Sequence, residues 1–135
     1  CEYLKDMAEN LGVSERIKFH GRLPMDEFNS IISSTDLHIA LRSPTMGETS
    51  AVVTRAMRLG IPSIVSNIGW YSELPDCVLK VDANDSVKQL TSHIHMLLKN
   101  PELVDELRSK TAVFAKERLD IKSVADDILN IVFEQ

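Results

Sequence analysis

The stretch 41–60, LRSPTMGETSAVVTRAMRLG, followed at once by IPSIVS at 61–66, decides the fold. Residues 36–41 alternate as a strand, Pro44, Gly47, Thr49 and Ser50 form a loop, and from Ala51 to Leu59 the spacing turns helical. Gly60 stops the helix and Pro62 keeps it from restarting, so residues 62–66 form the next strand. Strand, loop, helix and strand at these short spacings make a parallel βαβ unit. A loop of small residues feeding a helix leaves the first helical N–H groups without intrahelical partners and turns the positive end of the dipole outward. Such a terminus suits phosphate.

Outward from that unit the pattern continues. Residues 1–11 place Leu4, Met7, Ala8 and Leu11 on one face, an amphipathic helix with Gly12 as its stop. Residues 16–20 alternate Ile17 and Phe19 with polar neighbours and end at Gly21, which reads as a strand. Pro24 opens a second helix, with Asp26 and Glu27 in its first turn and Phe28, Ile31 and Ile32 on its buried face, ending near Ser34. Downstream, NIGWYSELPD at 67–76 is a loop and 77–81 a last short strand. Three helices follow at 87–98, 101–119 and 121–133, the first two parted by Asn100-Pro101.

The expected fold is therefore α/β, a three-layer Rossmann-like domain with a parallel sheet of about four strands, 16–20, 36–41, 62–66 and 77–81. Its expected core includes Ile17, Phe19, Leu37, Ile39, Val52, Ala56, Leu59, Ile64 and Val65. Because the sequence opens inside a helix with no strand ahead of it, we expect residues 1–135 to be one domain that starts part-way into a larger fold.

The chain has 135 residues, enough for one domain that buries roughly 70% of its unfolded surface. Its two cysteines, Cys1 and Cys77, make no disulfide framework and suit a reducing compartment. No signal peptide or membrane-length apolar run appears, so a cytoplasmic location is expected. A net charge of −5 with singly scattered basic residues argues against a nucleic-acid partner. His20, His38, His93 and His95 show no metal-ligand spacing with a third partner, so no metal is expected.

Ligands in open parallel sheets bind beyond the C-terminal strand ends. The loops that follow strands here are HGRLP at 20–24, SPTMGETS at 43–50 and NIGWYSE at 67–73, so one crevice should collect Arg22, Gly47 to Ser50, and Gly69 to Glu73. Each candidate has an ordinary reading beside the functional one. Thr49 or Ser50 is also a helix N-cap, worth about 1 kcal/mol. Glu48 is also a carboxylate stabilised by the helix dipole. Arg55, on the stripe Ala51, Arg55, Arg58, is more often a surface residue than a ligand contact. Trp70 and Tyr71 either stack on a sugar or base or pack down onto the domain.

Two runs, RIKFHGRLPMDEFNSIISSTDLHIAL and RAMRLGIPSIVSNIGWYSELPD, resemble the C-terminal, donor-binding domain of the GT-B fold glycosyltransferases of the group 1 type. The likeness covers nearly the whole chain. It implies half of a GT-B fold, with a nucleotide-diphosphate sugar as donor substrate, no cofactor and no metal. It further implies a retaining hexosyl transfer in glycan biosynthesis, to a glycan or lipid-linked acceptor held by an N-terminal domain. By the same resemblance the diphosphate would lie at Gly47 to Ala51, with Thr49 and Ser50, and the base towards Gly21 and Arg22. Gly69 would line the crevice, and Glu48 would be catalytic, reaching the transferred sugar.

The sequence departs from the family at two points. The family carries two glutamates with seven residues between them across this loop and helix. Counted back from Ala56-Met57, Arg55 stands at the second and Gly47 at the first, with Glu48 one place later. The strands that usually bring the diphosphate's Arg and Lys, and the acceptor domain, are not in this sequence, so the fragment alone should not turn over. Further expectations are self-association through an open sheet edge and, in the full-length protein, peripheral membrane association as an alternative. The competing readings are a non-catalytic nucleotide or sugar-phosphate binding module of the same fold and, less favoured, a flavodoxin-like signalling domain.

Overall fold

The computed structural model describes residues 2–133 and divides into two compact units, 1–30 and 31–135. In the first unit, α1 (Glu2–Asn10) ends where Gly12, at φ +67°, lets its own N–H reach Glu9 O and the Val13 N–H reach Ala8 O. This paired termination satisfies the last carbonyls of the helix. A single 3-10 turn, Ser14–Arg16, follows. Pro24 precedes α2 (Met25–Ser33), which runs across the boundary between the units, and its carbonyl accepts the Phe28 N–H at 3.0 Å.

Residues 16–20 correct the sequence reading. Ile17 is extended, at φ −115° and ψ 123°, but no strand forms there, and Ile17 and Phe19 are exposed. Alternation specifies an extended conformation, whereas a strand also needs a neighbour to take its N–H and C=O groups. Among the described residues no strand pairs with this segment.

The second unit holds a three-stranded parallel sheet in the order β1 (His38–Ala40), β2 (Ser63–Ser66), β3 (Leu79–Val81), one strand fewer than expected. Ile39 pairs with Ile64, and Ile64 in turn with Leu79. Central β2 is buried throughout, and the alternation of its side chains divides the core. Val65 faces a cluster with Val53 and Met57 of α3 (Ala51–Arg58), Tyr71 of α4 (Trp70–Glu73), and Ala115. Ile64 faces a second cluster with Val81, Leu97 of α5 (Ser86–Lys99) and Leu107 of α6 (Pro101–Arg118). Helices on both faces of a parallel sheet give the three-layer α/β architecture. A last helix, α7 (Ile121–Phe133), follows α6, and among the described residues no helix is long and apolar enough to cross a membrane.

The core differs from expectation in phase. Ala56, Ile64 and Val65 are buried and Leu37 is half-buried. Val52, Leu59 and the edge-strand residue Ile39 are exposed, while α3 buries Val53, Ala56 and Met57 instead. The buried stripe keeps its helical spacing but starts one residue later. Gly60 stops α3 as read: at φ +67° it donates to Met57 O, and the Ile61 N–H reaches Ala56 O, both at 3.0 Å. The loop at 67–76 contains α4, a single turn whose terminal carbonyls, Ser72 O and Leu74 O, accept from Lys80 Nζ at 2.8 and 2.5 Å.

Candidate functional site

The loop from the end of β1 to the start of α3 is built by its own polar groups. Ser50 is the N-cap: at φ −94° and ψ 113°, its buried hydroxyl accepts from the Val53 N–H at 3.4 Å, and its carbonyl takes the Thr54 N–H. Thr49 is exposed beside it. Ala51 and Val52, the first two residues of the helix, have no acceptor within it for their N–H groups. Those groups and the dipole of an eight-residue helix face the loop's C-terminal end.

Glu48 organises the rest of the loop. Its Oε2 accepts from the Met46 N–H at 2.8 Å and from Thr45 Oγ1 at 3.0 Å, and its Oε1 is paired with Arg42 Nη1 at 2.5 Å. Gly47, between them, sits at φ +87°, a conformation other residues adopt only with strain, and donates to Thr45 Oγ1 at 3.2 Å. The backbone N–H groups of Glu48 itself and of Met46, then the Thr45 hydroxyl and the Arg42 charge, hold the Glu48 carboxyl below the usual carboxylate range. It is an anion at neutral pH, oriented by its neighbours but exposed to incoming ligand.

Gly69 meets this loop. At φ +54° it starts α4, and a β-carbon there would lie 2.6 Å from Thr45 Cγ2 and 3.3 Å from Gly47 Cα. The loops after β1 and β2 are thus in contact, and only a residue without a side chain allows it. Arg55 is half-buried one turn into α3. Trp70 and Tyr71 pack down: their rings lie 5.5 Å apart, Tyr71 is fully buried, and Trp70 packs against the Val65 cluster.

The second unit therefore brings Gly47, Glu48, Thr49, Ser50, Ala51, Arg55 and Gly69 into two adjoining loops and one helix start. Gly21 and Arg22 lie in the first unit, where both are exposed. Sequence reasoning missed Arg42 and Thr45, the partners of Glu48. Arg42 lies just beyond the end of β1 and stands six residues before the carboxylate, a spacing that carries no signal unless the loop folds back. Among the described residues no cluster of three or more His, Cys, Asp or Glu could hold a metal ion.

No curated protein and no solved structure matches the chain. The family model for glycosyl transferases group 1 matches residues 2–118, most of the sequence and all of the loops just described. With its three-layer parallel sheet, the Rossmann-like half of a GT-B fold, the chain belongs to the group 1 glycosyl transferases.

Proposed function

We propose that this chain is the donor domain of a retaining hexosyltransferase, binding a nucleotide-diphosphate sugar whose sugar passes to a glycan or lipid-linked acceptor held by a separate N-terminal domain. The observation that carries the reading is the loop at 47–51, where an oriented, ionised carboxylate directly precedes the open N–H groups of a capped helix. The diphosphate would lie against Gly47 to Ala51, where the Ala51 and Val52 N–H groups and the helix dipole stabilise the negative charge that grows as the sugar departs. That stabilisation calls for no metal and no cofactor. Glu48 Oε1 is paired with Arg42 and keeps acceptor capacity for a sugar hydroxyl. Arg55, where the family carries a glutamate, would favour a phosphate or ribose contact on the same helix.

A second reading has its own support. All of the Glu48 bonds lie within residues 42–48, which is what a purely structural loop carboxylate would show. The chain would then be a nucleotide or sugar-phosphate binding module of the same fold.

Calorimetric titration tests the ligand class. Uridine, guanosine or adenosine diphosphate should bind, and the matching nucleoside should bind at least about tenfold more weakly, since the phosphates make the contacts at the helix start. Equal affinity of diphosphate and nucleoside would remove the donor reading.

A further inference from the structure

A cavity of about 310 Å³ opens at the C-terminal ends of all three strands, lined by Arg42, Ser43, Ser66, Val81, Ala83 and Ser86 among others. It lies within the second unit and uses none of the residues assigned to the donor, although its Arg42 is the partner of Glu48. Its polar wall has one chemical character: three hydroxyls and a guanidinium, all able to donate. Ser66 is the informative one. It is buried, its Oγ accepts from the Arg42 N–H at 2.8 Å, and its own O–H has no acceptor among the described residues. A buried hydroxyl that borders a cavity with its proton unspent calls for an acceptor inside that cavity. Ser86 is the first residue of α5, fourteen residues long, so the dipole there adds positive potential. Of the carboxylates next to lining residues in the chain, Asp82 is already held by Asn67 Nδ2 at 2.8 Å and Gln89 Nε2 at 3.3 Å, and Asp85 is the N-cap of α5, directly before Ser86.

We propose that this cavity is a subsite for a phosphoryl group, with Arg42 as its cation and the Ser66 and Ser86 hydroxyls as donors. Arg42 is shared between two anions. Glu48 Oε1 takes one Nη1 bond, and the pair is about half exposed on both sides, so it is weakly held and exchanges readily for an anion that fills the guanidinium fork. Occupation of the cavity therefore draws Arg42 off Glu48 and leaves that carboxylate oxygen open. The claim needs the cavity and Arg42, and it stands whether or not Glu48 touches a sugar.

Two sources supply a phosphoryl group: the donor's own diphosphate, or a phosphorylated acceptor. The test is an amide chemical-shift titration of the 135-residue chain with inorganic phosphate, alone and then in the presence of saturating nucleoside diphosphate. Phosphate alone should move the amides of Ser43, Ser66, Ala83 and Ser86. Arg42→Gln should weaken binding about tenfold, and Ser86→Ala by less. Glu48→Gln should strengthen it several-fold, because it removes the competing anion. If phosphate still binds beside the nucleoside diphosphate, the cavity serves an acceptor phosphate; if it is displaced, the cavity serves the donor. Shifts confined to Gly47 to Ala51, or an affinity unchanged by Arg42→Gln, would overturn the subsite while leaving the donor loop as it stands.

Discussion

Replacing Glu48 by alanine in an enzyme that carries both domains is expected to slow glycosyl transfer on the order of 10²-fold or more. The same change should leave binding of the bare nucleoside diphosphate within about threefold. The asymmetry follows from the geometry. The phosphates are to be held by backbone N–H groups at Ala51 and Val52, which the substitution leaves in place, whereas the carboxylate can act only on a sugar that the bare diphosphate lacks. Glu48→Gln separates the charge from the loop's shape. It keeps an oxygen that can accept from the Met46 N–H and the Thr45 hydroxyl, so the loop holds, but it loses the anion. If Glu48 is catalytic, the glutamine variant should be nearly as slow as the alanine variant. If Glu48 only braces the loop, glutamine should restore most of the rate, and steady-state kinetics on the two variants decides between them.

Gly69→Ala is expected to destabilise the fold by about 2 to 5 kcal/mol, combining a φ of +54° that alanine resists with a methyl group placed against Thr45. Thr45 cannot simply withdraw, because its hydroxyl bonds both Glu48 Oε2 and the Gly47 N–H. The strain therefore passes into the loop that precedes α3. Denaturant unfolding should show the lowered midpoint at an unchanged slope. Gly47→Ala is the comparison: its φ of +87° is as demanding, but a β-carbon there meets nothing within 4 Å, so the cost should be the conformational part alone. Equal losses at the two glycines would mean that the contact between the loops contributes nothing.

The parts of this structure that could be read from sequence are those whose causes are local. Ser50 caps α3 and Gly60 ends it because a hydroxyl and a left-handed glycine act within four residues of their own positions. The order of β1, α3 and β2 followed from those two signals. The misreadings all concern partners distant in the chain. Ile17 and Phe19 alternate as a strand does, yet a strand needs a neighbour, which their own sequence cannot supply. The choice between Val52 and Val53 as the buried stripe is fixed by where α6 and the sheet lie, since both phases suit a helix of this composition. The single turn of α4 is too short to nucleate alone and is held by Lys80, from the next strand, bonding its last carbonyls.

The same division runs through the site. Gly47, Glu48 and Ser50 could be picked out because a small-residue loop before a helix has a local physical meaning. The bracing of Glu48 by Arg42 and Thr45, and the contact of Gly69 with Thr45, depend on how two loops fold back on themselves. The packing of Trp70 and Tyr71 was decided by the apolar cluster beneath them, which offers Tyr71 complete burial. Among the described residues its hydroxyl finds no partner there.

The central claim is that phosphates of a nucleotide donor sit at the start of α3, and an amide chemical-shift titration with nucleoside diphosphate tests it most directly. The account predicts saturable shifts at Gly47, Glu48, Thr49, Ser50, Ala51 and Val52, with smaller ones at Gly69 where the second loop touches the first. Shifts that gather on α6, at residues 101–118, with the 47–52 amides unmoved, would contradict it.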